Sequence, residues 1–241
     1  MRDGKVVQSE QFRHTNLIHT DASIAVEFFD KWAADEIVIL DVSRDIGQRS
    51  RFFNAIEMLS SKCFVPLTVG GWLQSVQEVR MLLKMGADKI IINTEGFRRP
   101  DFITECAKSF GSQCVVVSID VRKNDNLSYE VFIDRGRFAT GVHPAVWAKR
   151  ACDLGAGEIF LTSIEHEGMR RGYDLDLLRE VVHAVEIPVI AFGGVSSWEH
   201  MLQGILDAHV DAVAAANVLH YTEDSLRSAK QYLKAKGIDV R

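Results

Sequence analysis

Two glycine pairs that follow short apolar runs are the residues best suited to binding a ligand. They are Gly70-Gly71 and Gly193-Gly194. Glycine lets a backbone approach a ligand closely and present its N–H groups, which suits a phosphate when a helix begins nearby. Polar residues at neighbouring run ends extend both pairs into two predicted phosphate-binding loops. The first loop set is Gly70, Gly71, Asn93 and Thr94, and the second is Thr162, Ser163, Gly168, Gly193, Gly194 and Asn217. Two such sets suit a substrate with a phosphate at each end, unless the glycines only form tight turns.

Two aspartates stand at the ends of apolar runs, where they could carry acid–base chemistry. Asp120 ends the most apolar run of the chain, and Asp41 ends an earlier one. A partly buried carboxylate in such a place is suited to act as a general acid or base. The alternative is that either residue only caps its loop by accepting backbone N–H groups.

Three charged residues, Glu36, Lys89 and Glu158, begin apolar runs instead of ending them. If the runs are alternate strands of a barrel, these side chains share a layer at its bottom. They could then form an ion-paired ring that plugs or gates the barrel axis. The alternative is that each charge is simply solvated at its strand start.

The runs that position these residues alternate with helical patterns. Strands covered on both faces are apolar at consecutive positions, as here. Seven runs fit: residues 36–41, 66–71, 89–93, 114–120, 158–162, 188–192 and 212–217. Residues 23–34, 75–85 and 198–208 show helical periodicity, with Asp21, Ser75 and Ser197 as predicted N-caps. Residues 129–133 and a turn at Gly136 predict a small hairpin inserted after the run at 114–120.

An internal repeat selects among the α/β architectures. Glu36 recurs as Glu158 and Pro66 as Pro188, in both cases 122 residues later and within similar motifs. A doubled unit of this size is typical of a (βα)8 TIM barrel. We therefore predict one domain over residues 1–241, with half-barrels at about 1–121 and 122–241. Because the sequence opens in polar, loop-like residues, the first strand of the barrel is expected to be truncated or missing.

Composition excludes several classes of protein. There are 28 basic and 33 acidic residues, a net charge of −5, without a block of like charges. This argues against binding to nucleic acid or to a membrane surface. No apolar run is long enough for a membrane span and residues 1–4 lack a signal peptide's character, so a cytoplasmic location is expected. Neither the four cysteines nor the histidines have metal-ligand spacing, so no metal or other cofactor is expected.

Motifs along essentially the whole chain resemble the cyclase subunit of imidazole glycerol phosphate synthase, the HisF family. They lie at residues 35–41, 68–71, 86–89, 110–120, 155–158, 161–164 and 172–174. The resemblance implies a barrel that takes ammonia from a separate glutaminase subunit docked at its N-terminal face. With it, the barrel would convert a bis-phosphorylated ribulosyl aminoimidazole carboxamide ribonucleotide to imidazole glycerol phosphate and the aminoimidazole carboxamide ribotide, in histidine biosynthesis.

The resemblance also implies roles for individual residues. Asp120 matches one of two catalytic aspartates, and Glu167 stands where the family has another aspartate. The charged residues at the strand starts match the gate through which ammonia enters. Phosphate-loop positions are matched by Gly71, Asn93, Thr162, Ser163, Gly168 and Gly194.

Departures from the family leave an alternative open. The family's other catalytic aspartate belongs to a strand that would precede residue 1. Gln8 replaces a lysine, Trp72 a glycine and Asn217 a serine. This pattern also resembles the WbuZ-type paralogues, which are associated with amidation of sugars in bacterial surface polysaccharides. In that alternative the chain channels ammonia to another enzyme and has lost cyclase activity. A non-catalytic phosphate-binding barrel is a third hypothesis.

Overall fold

The structure is a computed structural model that describes residues 1–43, 49–220 and 225–241. The strands are β1 Val6–Glu10, β2 His14–His19, β3 Ile37–Leu40, β4 Leu67–Gly70, β5 Lys89–Ile92, β6 Val115–Lys123, β7 Tyr129–Ile133, β8 Phe138–Ala139, β9 Glu158–Ser163, β10 Val189–Phe192 and β11 Ala212–Val213. The helices are α1 Ala22–Lys31, α2 Arg49–Ser60, α3 Val76–Lys84, α4 Thr94–Arg98, α5 Asp101–Phe110, α6 Pro144–Asp153, α7 Leu175–Val182, α8 Trp198–Ala208 and α9 Ser225–Ala235.

Seven parallel strands form one curled sheet, in the order β11, β10, β9, β6, β5, β4, β3. Each overlaps one of the seven predicted runs, although β11 covers only the first two residues of the run at 212–217, and helices alternate with the strands along the chain. This confirms the predicted α/β, TIM-barrel-like fold. In the described residues the sheet is open between β3 and β11, where a closed barrel has a further strand.

Residue 1 lies beside the open edge of β3. The Met1 amino group donates to the Leu40 carbonyl at 2.6 Å, and the Val42 N–H donates to the Met1 carbonyl at 2.8 Å. These two bonds follow the pattern of a parallel pair. The sheet is thereby continued past β3 by this one residue.

Apolar side chains cover both faces of the curled sheet, which explains why the runs are apolar at consecutive positions. The concave face holds a small cluster of Ile91, Val116 and Phe160, with further apolar residues packed against it. The convex face packs on the helices in the main core, which includes Ile90, Val117 and Ile159. A passage along the barrel axis would therefore cross an apolar layer.

Two hairpins stand outside the parallel series. β7 pairs with β6 and β8 in antiparallel fashion, which confirms the predicted insertion. The interpretation of the first residues as loop-like was wrong, because β1 and β2 form an antiparallel hairpin, hereafter the N-terminal hairpin. Its strands are largely polar, with Gln8 as the buried residue of β1. Because neither strand has a continuous apolar face, the hydrophobic pattern of these residues does not predict a strand.

All three predicted N-caps are formed. The Asp21, Ser75 and Ser197 side chains each accept a hydrogen bond from a backbone N–H in the first turn of α1, α3 and α8, respectively. Within the described ranges, every helix is too short or too polar to cross a membrane.

The cap of α3 allows a quantitative prediction. Ser75 and Glu78 form a reciprocal capping box, so the change Ser75→Ala removes a partner from a helix-end N–H group. We expect the free energy of unfolding to fall by about 1 kcal/mol in urea denaturation. Ser109→Ala, at an exposed position of α5, is the control. Equal stability of the two variants would contradict the prediction.

Candidate functional site

The carboxyl ends of the parallel strands form one edge of the curled sheet, and Asp120 lies at its centre. β6, which carries Asp120, runs between β5 and β9. Asn93, directly after β5, donates from Nδ2 to Asp120 Oδ2 at 3.0 Å, and the Thr162 hydroxyl of β9 also donates to this carboxylate. Two residues predicted to bind phosphate thus donate hydrogen bonds to the predicted acid–base residue.

The surroundings of Asp120 suit proton transfer near neutral pH. The residue is 8% exposed, and burial raises the pKa of its carboxyl from 3.8 to about 7. The hydrogen bonds from Asn93 and Thr162 act in the opposite direction, because they stabilise the ionised form. A carboxyl that titrates near 7 can serve as either a general acid or a general base.

Glu167 lies in the loop after β9 and holds the N-terminal hairpin. The Ser9 hydroxyl donates to Glu167 Oε2 at 3.0 Å, and the Gln11 N–H donates to the Glu167 carbonyl at 3.0 Å. Burial raises the pKa of the Glu167 carboxyl to about 7, partly offset by the bond from Ser9 and by the Phe12 and Gln11 N–H groups. The hairpin is therefore tied to this side of the site.

The raised pKa of Glu167 predicts a pH-dependent stability. Ionising this carboxyl is harder in the folded chain than in the unfolded chain, where the pKa is 4.5. Its contribution is therefore fully present below pH 4.5 and is lost as the pH rises through 7. The change Glu167→Gln keeps a neutral acceptor for Ser9. We expect this variant to be more stable than the parent at pH 8, by about 1–3 kcal/mol, and equal to it at pH 4.5.

Chemical denaturation across that pH range measures the effect. Glu57→Gln, at an exposed position of α2, is the matched control. A Glu167→Gln variant that is less stable than the parent at pH 8 would contradict the prediction.

A cavity of about 160 Å³ opens beside Glu167, and four residues of the second loop set line it. They are Gly168, Gly193, Gly194 and Asn217. A Cβ at position 194 would lie 2.2 Å from the Gly172 carbonyl oxygen, so only glycine fits there. The volume is about ten times what one water molecule requires. Backbone N–H groups of the glycines and the side-chain amide of Asn217 in this lining suit an anion in the cavity.

Residues of the first loop set are engaged in contacts within the protein. The Thr94 hydroxyl donates to Asn93 Oδ1 at 3.2 Å and accepts from the Asp134 N–H of the inserted hairpin at 2.9 Å. At Gly70 a Cβ would lie 1.8 Å from Ile91 Cγ2, so this glycine allows close packing of β4 and β5. At Gly71 a Cβ would lie 2.6 Å from the Asp41 carbonyl oxygen, so this glycine also packs closely on its neighbour. The first set is thus less open than the second.

Asp41 caps the loop after β3. Its Oδ1 accepts hydrogen bonds from the N–H and the hydroxyl of Ser43. Ser43 in turn accepts a bond from the Trp72 indole through its carbonyl oxygen, at 3.0 Å. This arrangement favours the capping alternative for Asp41 over a catalytic role.

The three charges at the strand starts meet as an ion-paired triad, hereafter the charged triad. Lys89 Nζ lies 3.0 Å from Glu36 Oε2 and 2.7 Å from Glu158 Oε1. The Lys89 and Glu158 side chains are about a fifth exposed. Burial disfavours the Lys89 ammonium, but the bonds to Glu158 and Glu36 outweigh it, and the pKa of Lys89 is raised. The protonated lysine therefore bridges two carboxylates across the concave face.

Residues that sequence reasoning did not single out complete the site. Ser9 contacts Glu167, and Arg122 lies beyond Asp120 on the same face of β6. Arg122 could have been found from the sequence, because residues two positions apart in a strand point to the same face and Arg122 is two positions after Asp120. In the described ranges no group of three histidine, cysteine, aspartate or glutamate side chains is placed to hold a metal ion.

The fold is that of a TIM-barrel-like protein, and the candidate acid–base residue Asp120 lies at the carboxyl ends of its parallel strands. Residues 1–225 match the model of the family described as histidine biosynthesis protein. The chain belongs to this family of histidine-biosynthesis enzymes.

Proposed function

We propose that this chain is the cyclase subunit of an imidazole glycerol phosphate synthase. In this proposal it joins ammonia to the bis-phosphorylated ribulosyl aminoimidazole carboxamide ribonucleotide and closes the imidazole ring. The products are imidazole glycerol phosphate, the aminoimidazole carboxamide ribotide and one water molecule. The carrying observation is the Asp120 carboxyl at the carboxyl ends of the strands, which is buried and bonded to Asn93, and whose pKa burial raises to about 7.

The substrate would lie across the mouth with one phosphate in the cavity of the second loop set. Gly168, Gly193 and Gly194 supply backbone N–H groups there, and Asn217 supplies a side-chain amide. Asp120 would then exchange a proton with the reacting centre. Asn93 and Thr162 orient its carboxylate through their hydrogen bonds.

Ammonia would enter from the opposite end. Glu158 of the charged triad and Thr162 of the mouth both point to the concave face of β9, about 13 Å apart along the strand. Ile91, Val116 and Phe160 lie between these two levels. An apolar layer favours neutral ammonia over the ammonium ion, because burying a charge there is costly. A glutaminase subunit at this face would supply the ammonia.

Turnover with free ammonia tests the proposal without the partner subunit. The purified chain, given the bis-phosphate substrate and excess ammonium salt, should form imidazole glycerol phosphate, detected by chromatography. Asp120→Asn is the inactive reference, and Asp125→Asn, in an exposed loop, is the matched control. Turnover no greater than that of Asp120→Asn would contradict the cyclase proposal.

A second candidate function is delivery of ammonia to a separate sugar amidotransferase. Gln8 favours it, because this buried residue is a neutral amide at the position where the resemblance places a lysine. Cyclisation needs an acid and a base on opposite sides of the new ring, whereas delivery mainly needs the conduit. The same assay separates the two, because a pure conduit would stimulate a co-expressed glutaminase without forming imidazole glycerol phosphate.

A further inference from the structure

Arg122 stands above Asp120 on the same face of β6. The two residues are two positions apart, which places their side chains on one side of the strand about 7 Å apart along it. The Arg122 guanidinium lies over the Phe132 ring, 5.1 Å from its centroid, and is half-buried. A group bound by Asp120 would therefore lie within reach of this guanidinium.

Among the described residues, no carboxylate lies at ion-pair distance from the Arg122 guanidinium. Within the described part of the chain, its guanidinium forms neither an ion pair nor a hydrogen bond. Glu130 of β7 is the cross-strand neighbour of Arg122, but its carboxylate accepts a hydrogen bond from the Gly141 N–H at 2.6 Å. Burial and the charge of Arg13 lower the pKa of Arg122, and Glu165 supplies the opposing attraction. A half-buried cation in this situation is stabilised by any anion that binds beside it.

Arg13 belongs to the turn of the N-terminal hairpin, which lies close to Arg122. Its neighbour Phe12 packs on the turn of the inserted hairpin, since a Cβ at Gly136 would lie 3.2 Å from Phe12 Cδ2. The same point is 3.9 Å from Arg122 Nη2. The Arg13 side chain is exposed and has no ion pair among the residues that the structure describes. The charge of Arg13 acts on Arg122 where the two hairpins meet, because it lowers the pKa of the Arg122 guanidinium.

We propose that Arg122 and Arg13 form an anion subsite above Asp120 that binds a phosphate monoester. The guanidinium fork matches the geometry of phosphate oxygens, and a dianion neutralises both charges. Asn93 and Thr94, the predicted ligands of a second phosphate, are engaged with Asp120 and Asp134. That the phosphate belongs to the bis-phosphorylated substrate rests on the proposed function. The cavity of the second loop set would hold the other phosphate.

Inorganic phosphate tests the subsite without turnover. In protein labelled with ¹⁵N-arginine, the Nε–Hε signal of Arg122 is assigned by its loss in Arg122→Lys. We expect this signal to shift on addition of phosphate against chloride at equal ionic strength. Arg150, exposed on α6, is the internal control and should keep its signal. An Arg122 signal that does not respond at phosphate concentrations that saturate the protein would overturn the proposal.

Substrate affinity is the second measurement. By calorimetry in the absence of ammonia, Arg122→Gln should raise the Kd of the bis-phosphate substrate about 10- to 100-fold, the loss expected for hydrogen bonds to a charged group. Arg13→Gln, at an exposed turn that does not risk folding, should act in the same direction but less. Arg150→Gln should leave the Kd unchanged.

The outcomes separate this inference from the proposed function. A phosphate-dependent shift of Arg122 in a protein without cyclase turnover supports the subsite and contradicts the cyclase proposal. Normal turnover with an unchanged substrate Kd in both Arg122→Gln and Arg13→Gln overturns the subsite alone.

Discussion

Replacing Asp120 with asparagine should lower the ammonia-dependent kcat by a factor of about 10²–10⁴, the usual contribution of a general acid or base. Asparagine has nearly the same shape, and the Asp120 position is enclosed by Asn93 and Thr162, so the site should keep its geometry. The change removes the exchangeable proton. We expect KM to change little, because Asp120 is not among the residues that line the phosphate cavity.

The pH profile distinguishes proton transfer from a structural effect. The pKa of Asp120, raised to about 7 by burial, should appear as a limb of the profile of kcat/KM in that region. The change Thr162→Val removes a hydrogen bond that stabilises the carboxylate, so it should move this limb to higher pH, by about one unit at most. A limb that stays in place in Thr162→Val, or an Asp120→Asn variant with a kcat within threefold of Asp125→Asn, would contradict the acid–base role.

The parallel sheet could be predicted because its strands carry a strong local signal. Ile90, Ile91 and Ile92 are apolar in succession, and in the structure alternate members face the helices and the barrel interior. Asp120 was singled out because it ends such a run, and in the structure it lies at the carboxyl edge of the sheet, bonded to Asn93. The same reasoning anticipated that Glu36, Lys89 and Glu158 would share one level, as their ion pairs bear out.

What sequence could not predict depends on contacts between distant segments. Ser9 and Glu167 are 158 residues apart, and neither residue type indicates that the other will be its partner. The direction of the Thr94 hydroxyl is set by Asp134 of the inserted hairpin. Arg122 is unusual because of the partners that it lacks among the described residues, a property that no local pattern encodes.

The charged triad provides the second large expected effect. Lys89 neutralises two carboxylates that otherwise repel each other, so the change Lys89→Met should open the arrangement and leave Glu36 and Glu158 facing each other. If ammonia passes here, the entrance changes while Asp120, about 13 Å away along the strands, keeps its partners. We expect turnover with glutamine and the partner glutaminase to fall at least about tenfold relative to turnover with ammonium salt.

This ratio isolates the passage from the chemistry. Free ammonia at high concentration can reach the substrate from the mouth, so its turnover should survive Lys89→Met. Lys89→Arg keeps the cation and should restore much of the glutamine-dependent activity, and Lys108→Met, at an exposed position of α5, is the matched control. An equal fall in both activities would mean that the triad only stabilises the fold. Removing the lysine changes the electrostatic field of any passage beside the charged triad. An unchanged ratio of glutamine-dependent to ammonium-dependent turnover would therefore mean that ammonia does not pass there.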